Sequence, residues 1–153
     1  MSEREISLAD PEATDALGRL LAGSQPPGAV VFLDGPLGAG KSSLARAWLR
    51  ALGVTGPVKS PTYTLVERYP LPAGGEAAHL DLYRLADAGE LDFLGLDELA
   101  DAGLWLVEWP DRGAVGLPPP DLRIRLAMDG SGRVARLQAC SARGEAWLGR
   151  LPG

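Results

Sequence analysis

Asparagine is absent from this 153-residue chain, cysteine and histidine occur once each (Cys140 and His79), and lysine occurs twice, at Lys41 and Lys59. A lone cysteine rules out an internal disulfide framework and a cysteine-based zinc site. The acidic balance, 20 Asp and Glu against 15 Lys and Arg for a formal net charge of -5, lacks the basic surface of a protein that grips a nucleic-acid backbone. Long apolar runs are missing too. The run Ala29 to Leu33 is far short of the ~18 residues a membrane helix needs, and the opening stretch Met1 to Ile6 is too polar for a signal peptide. The expectation is a soluble cytoplasmic protein without a membrane partner, whose function resides in a local site.

What is present suits one domain spanning residues 1–153. Hydrophobic residues make up 46%, and 20 glycines with 13 prolines mark many turns. Asp10-Pro11 predicts a helix start, since aspartate caps free N–H groups and proline fits the first turn. Ala13, Leu17 and Leu21 give that helix an apolar face, and Gly23 with Pro26-Pro27-Gly28 ends it. Ala29 to Leu33 reads as a strand buried on both faces. A helix follows from Lys41 to about Leu52, closed by Gly53. Leu65 to Tyr69 and Ala77 to Tyr83 read as a hairpin, Asp87 to Ala102 as a helix broken by Gly89 and Gly95, and Leu104 to Glu108 as a buried strand stopped by Pro110. Leu122 to Met128 and Arg133 to Ala139 form a second hairpin around Asp129-Gly-Ser-Gly132. Repeats, low-complexity segments and linkers are not evident.

The chemistry is concentrated in Gly35-Pro-Leu-Gly-Ala-Gly-Lys41-Ser42, which matches the P-loop pattern G-x-x-x-x-G-K-[ST] between a buried strand and a helix. Backbone N–H groups of Gly38 to Ser42 at a helix N-terminus suit phosphate oxygens. Lys41 adds a point charge, and the Ser42 hydroxyl can join a Mg²⁺ shell completed by phosphate and water. One of only two lysines lies here. Such a loop needs a carboxylate from a neighbouring strand end. Glu108 qualifies at the edge of a buried strand, and Asp81, which shares a face with His79 and Tyr83, is its rival. Asp34 reads as a local hydrogen-bond partner, and His79 as a hydrogen-bonded strand residue. Lys59-Ser-Pro-Thr-Tyr-Thr64 lies where switch loops that sense a γ-phosphate occur, although Ser-Pro-Thr is also ordinary turn chemistry. The fold expected is a single α/β domain of P-loop NTPase type, with a mostly parallel central sheet, antiparallel hairpins and flanking helices.

Four segments, Gly35 to Ser43, Lys59 to Val66, His79-Leu-Asp-Leu-Tyr-Arg84 and Leu106-Val-Glu-Trp-Pro110, together resemble the TsaE (YjeE) family, small P-loop ATPases of bacterial tRNA threonylcarbamoyladenosine synthesis. The resemblance implies that Gly38, Ala39, Gly40, Lys41, Ser42 and Ser43 hold the phosphates of ATP, and that Ser42 and Glu108 bind Mg²⁺. It implies that Asp81 supports the metal shell or the attacking water, that Thr62 lies over the γ-phosphate, and that Trp109 stands beside the nucleotide. It also brings the segment around Glu12 and Thr14, and the turn at Arg133-Val134, toward the adenosine. Catalysis would then involve Lys41, Asp81, Thr62 and Glu108. The implied partners are the TsaB-TsaD pair, with tRNA reached only through that complex. Pro36 departs from the acidic residue usual in the family at this position, which removes one N–H and stiffens the loop. A small-molecule P-loop kinase is the alternative, but no arginine-rich lid segment is visible. A GTPase is disfavoured because guanine recognition by Asn-Lys-x-Asp requires an asparagine this chain lacks.

Overall fold

In a computed structural model of the protein, residues 2–61, 64–85, 90, 94–113 and 116–152 are described. Seven strands form one sheet in the order β1-β7-β6-β2-β5-β4-β3. They are β1 (Glu3–Leu8), β2 (Ala29–Asp34), β3 (Val66–Pro70), β4 (Glu76–Asp81), β5 (Leu104–Glu108), β6 (Leu122–Asp129) and β7 (Gly132–Ala139). Among the described residues three α-helices accompany them, α1 (Pro11–Ser24), α2 (Lys41–Ala51) and α3 (Ala142–Arg150). The inner four strands, β6, β2, β5 and β4, run parallel, while β1, β7 and β3 add antiparallel edges. The sheet is therefore mixed, with its parallel part confined to the centre.

Side-chain alternation decides which layer each strand residue joins. Val31 and Leu33 of β2, Leu104 and Leu106 of β5 and Ile124 of β6 pack with Leu17 and Leu21 of α1, Leu44 and Trp48 of α2 and Trp147 of α3. Val30 and Phe32 face the other way, into a second cluster with Leu80, Leu82, Val107 and Leu99. These three helices thus cover one face, and Leu85, Leu99, Ala102 and Leu117 cover part of the other. The flanking helices anticipated from the sequence are one-sided among the described residues. Trp48 and Trp147 meet edge to face with centroids 5.9 Å apart, locking α2 to α3, an arrangement that adds to their burial.

Local chemistry sets most boundaries. Asp10 caps α1 by accepting a hydrogen bond from the Ala13 N–H at 2.9 Å, with Pro11 at the first helical position. Two elements go beyond the sequence reading. β1 pairs with β7 through Ile6 and its neighbours, and α3 is capped by Ser141, whose Oγ accepts from the Gly144 N–H at 3.0 Å. One expectation needs correction. The helix anticipated over Asp87 to Ala102 lies partly outside the described residues, and its described C-terminal part holds only a 3-10 turn, Leu96–Leu99, introduced by Gly95 at φ 71°. A left-handed residue cannot continue an α-helix, so the chain enters a tight turn. Among the described residues no helix is long and apolar enough to cross a membrane.

Candidate functional site

β2 and α2 are joined by the glycine-rich loop, and its backbone explains the glycines. Gly35 has φ 146°, and a Cβ there would lie 2.5 Å from the Leu126 carbonyl oxygen of β6. Gly40 takes the left-handed conformation (φ 104°) immediately before α2. Both positions require what only glycine adopts freely. The loop ends at the N-terminus of an eleven-residue helix, where unpaired N–H groups and the helix dipole favour an anion.

Parallel pairing brings three carboxylates to the same edge. Leu33 is in register with Glu108, and Asp81 with Glu108, so the C-terminal ends of β2, β5 and β4 finish together beside α2. Glu108 and Asp81 are both buried, at 2% and 5% relative exposure. The Ser42 hydroxyl lies 3.2 and 3.3 Å from the two carboxylate oxygens of Glu108, and His79 Nε2 lies 2.6 Å from Glu108 Oε2. The Asp81 carboxylate accepts a hydrogen bond from the Tyr83 N–H at 3.0 Å, holding the chain as it leaves β4.

Lys41 sits among these charges. It is buried, and its ammonium group donates to the carbonyls of Gly35 and Pro36, the latter at 3.2 Å. Burial lowers its pKa, while Glu108, Asp81 and Asp34 act in the opposite sense. The Nζ also rests 4.2 Å from the centre of the Trp109 ring, within cation–π range. Trp109 itself has φ 56°, in the left-handed region, a conformation that costs a non-glycine residue about 1–2 kcal/mol. Strain of this kind concentrates at functional sites. Tyr83 packs against the Trp109 ring at 5.0 Å.

Asp34 pairs with Arg123 Nη1 at 2.7 Å, as its reading as a local hydrogen-bond partner anticipates. Burial raises the Asp34 pKa, and Arg123 opposes that shift. Beside the loop, a cavity of about 730 Å³ opens between α1, α2 along its length from Ser43 to Ala51, and the β6–β7 turn. Its lining includes Asp10, Thr14, Ser43, Arg46, Gly132 and Arg133. Glu12 and Val134 are adjacent to this lining without belonging to it. Arg133 Nη2 donates to the Gly38 carbonyl at 3.3 Å, linking the turn to the loop. Ala39, within the loop, is buried. Thr62 lies outside the described residues, but the start of its loop is fixed by Tyr69, whose hydroxyl accepts from the Lys59 N–H at 3.0 Å.

The sequence reading missed two contributions. His79 is a hydrogen-bonded strand residue, as its sequence position suggests, but only the β4–β5 register reveals that its partner is Glu108. Arg46 was missed as a cavity residue, although its position three residues after Ser43 on α2 puts both on one helical face.

These features define an α/β protein with a glycine-rich loop entering a helix at the C-terminal edge of parallel strands, where buried carboxylates meet a lysine and a hydroxyl. The chain belongs to the TsaE family: the family model, described as threonylcarbamoyl adenosine biosynthesis protein TsaE, matches residues 8–136. Similar curated proteins include the tRNA threonylcarbamoyladenosine biosynthesis protein TsaE of Haemophilus influenzae, 47% identical over 98 residues, covering 63% of this chain and 61% of that protein. The protein of the same name from Bacillus subtilis is 37% identical over 127 residues, covering 81% of this chain and 77% of its own. The crystal structure of Bacillus subtilis YdiB superposes with a TM-score of 0.80 at 29% identity, covering 97% of this chain and 93% of that one.

Proposed function

We propose that this chain is a Mg²⁺-dependent P-loop ATPase of tRNA threonylcarbamoyladenosine formation, working in the cytoplasm with a TsaB-TsaD pair through which it reaches tRNA. The observation that carries the nucleotide reading is the convergence of the Ser42 hydroxyl and the Glu108 carboxylate at 3.2 Å beside Lys41, directly behind the glycine-rich loop. The place in tRNA modification rests on the family and on the names of its members.

The residues fit the assigned groups. Ser42 and Glu108 offer hard oxygen donors suited to Mg²⁺. No group of three His, Cys, Asp or Glu side chains among the described residues could hold a metal by itself, so such an ion needs phosphate and water to complete its shell. When bound, Mg²⁺ neutralises charge on the phosphates. The loop N–H groups and the α2 N-terminus hold those phosphates. Lys41 exchanges the carbonyls of Gly35 and Pro36 for phosphate oxygens, and Asp81 is near enough to Glu108 to orient a water. The cavity lined by Thr14, Ser43, Arg46 and Arg133 has room for the nucleoside. Intrinsic hydrolysis is slow on this reading and the partners accelerate it, because Arg133, which reaches the loop, is engaged by the Gly38 carbonyl rather than free to stabilise the transition state.

The test combines calorimetric titration of ATP, with and without Mg²⁺, with a pull-down of purified TsaB and TsaD. Nucleotide binding strengthened by Mg²⁺ and ATP-dependent capture of the pair are expected. Stoichiometric phosphorylation of a metabolite would favour the kinase alternative, and failure to bind any nucleotide would refute the reading.

A further inference from the structure

His79 is 2% exposed, its Nε2 is 2.6 Å from Glu108 Oε2, and its Nδ1 is a buried polar atom with no hydrogen-bond partner. An unsatisfied buried group is costly, a cost that leucine at this position would avoid. Buried orphans of this kind need a reason, and the reason lies on the other nitrogen. With its proton on Nε2, the ring donates to Glu108 and leaves only a lone pair at Nδ1.

The three groups come from three elements, Ser42 from α2, His79 from β4 and Glu108 from β5. Ser42 can spin its hydroxyl, and its contacts of 3.2 and 3.3 Å straddle both carboxylate oxygens. They therefore leave the carboxylate plane weakly fixed. The histidine contact is shorter, addresses one oxygen and comes from a ring immobilised in the sheet. A glutamate has three rotatable bonds, so a carboxylate aimed at a cation needs such a second anchor. Asp81 shares a strand face with His79 but lies directly opposite Glu108 in register, whereas His79 approaches diagonally from two residues earlier.

The geometry points to His79 as a positioning residue that sets the orientation of Glu108 for Mg²⁺ and thereby the strength of metal-coupled nucleotide binding. This inference rests on the Mg²⁺-nucleotide reading proposed above. His79 touches neither metal nor nucleotide in this assignment and acts only through Glu108.

The experiment titrates MgCl₂ into the 153-residue chain bound to fluorescent mant-ADP, using wild type, His79→Leu, His79→Gln and His79→Asn. A glutamine amide can place an N–H where His79 Nε2 lies, whereas the shorter asparagine reaches only the Nδ1 position. Half-saturating Mg²⁺ is expected to rise about tenfold in the Leu and Asn variants and to stay within about threefold of wild type in the Gln variant. Binding in EDTA should change less than about twofold in all three, a split that a merely structural role does not produce. If His79→Leu fails to fold, the Gln–Asn comparison decides the matter alone. Unchanged Mg²⁺ dependence in the variants, or equal weakening with and without metal, overturns the inference. Wild-type binding that ignores Mg²⁺ overturns the metal reading itself, and the inference falls with it.

Discussion

Gly35→Ala tests whether the glycine-rich loop is fixed by the sheet beneath it. At φ 146° an L-residue is strained, at about 1–3 kcal/mol. The new methyl would also stand 2.5 Å from the Leu126 carbonyl oxygen and 3.3 Å from its carbon. Those are backbone atoms of β6, which pairs with both β2 and β7, so they cannot swing aside as a flexible side chain would. Relieving such overpacking costs about 1–3 kcal/mol more. The combined destabilisation of about 2–6 kcal/mol corresponds to a fall in melting temperature of about 5–20 °C for a chain of this size. Differential scanning calorimetry and urea titration would measure it, with Gly149→Ala as control. Gly149 is helical in α3, has no positive φ and meets no atom within 4 Å, so alanine there should stabilise by up to about 1 kcal/mol. A loss at Gly35→Ala below about 1 kcal/mol would refute the argument, because it would mean that the loop slides off β6 without resistance.

Other perturbations separate the parts of the site. Lys41→Ala should weaken ATP binding about 10- to 150-fold, the worth of one charge-assisted hydrogen bond, and calorimetry would show it; unchanged affinity would remove Lys41 from the phosphates. Glu108→Ala should lower Mg²⁺-dependent hydrolysis more than it lowers nucleotide affinity, read by phosphate release beside direct binding, and equal losses in both would contradict the metal role. Asp121 tests the scaffold through pH. Burial alone would raise its pKa, but the bonds from Arg143, Ser141 and the Val30 N–H outweigh burial and lower it. The unfolded chain then binds the proton more readily, so this contribution is fully present above the unfolded value of about 3.9 and disappears as pH falls through the folded one. Urea midpoints measured from neutral to acidic pH should therefore fall less steeply in Asp121→Asn than in wild type, and parallel curves would exclude the effect.

How much could be read from the chain depends on how local each feature is. The loop from Gly35 to Lys41, the cap at Asp10 and the two hairpins are encoded within a few residues, by glycine placement, capping and alternation. β1 is less legible because it is an edge strand in which only Leu8 is buried. It carries only Ile6 and Leu8 as apolar signal, and tertiary pairing with β7 supplies the rest. In the segment expected to be helical, Gly95 adopts a left-handed turn just before the 3-10 turn, a local choice that the surrounding apolar spacing conceals. In the site, Lys41, Ser42 and Glu108 could be nominated one by one. The contact of His79 with Glu108 could not, because it depends on β4 lying beside β5 and on a particular register.

The same register also governs how charge balances at the site. One buried cation, Lys41, faces two buried carboxylates, Glu108 and Asp81, and Asp34 adds further negative potential at Lys41. In a low-dielectric pocket such an excess disfavours a bare polyphosphate, even with the loop N–H groups pointing at it. Under the proposed function Glu108 and Asp81 would be satisfied by a divalent cation, whose charge would also let the phosphates approach Lys41. On the proposed reading, metal and nucleotide must therefore strengthen each other by one common factor. That coupling arises at the strand ends, because β2, β5 and β4 terminate together at the start of α2 and hold the carboxylates against it.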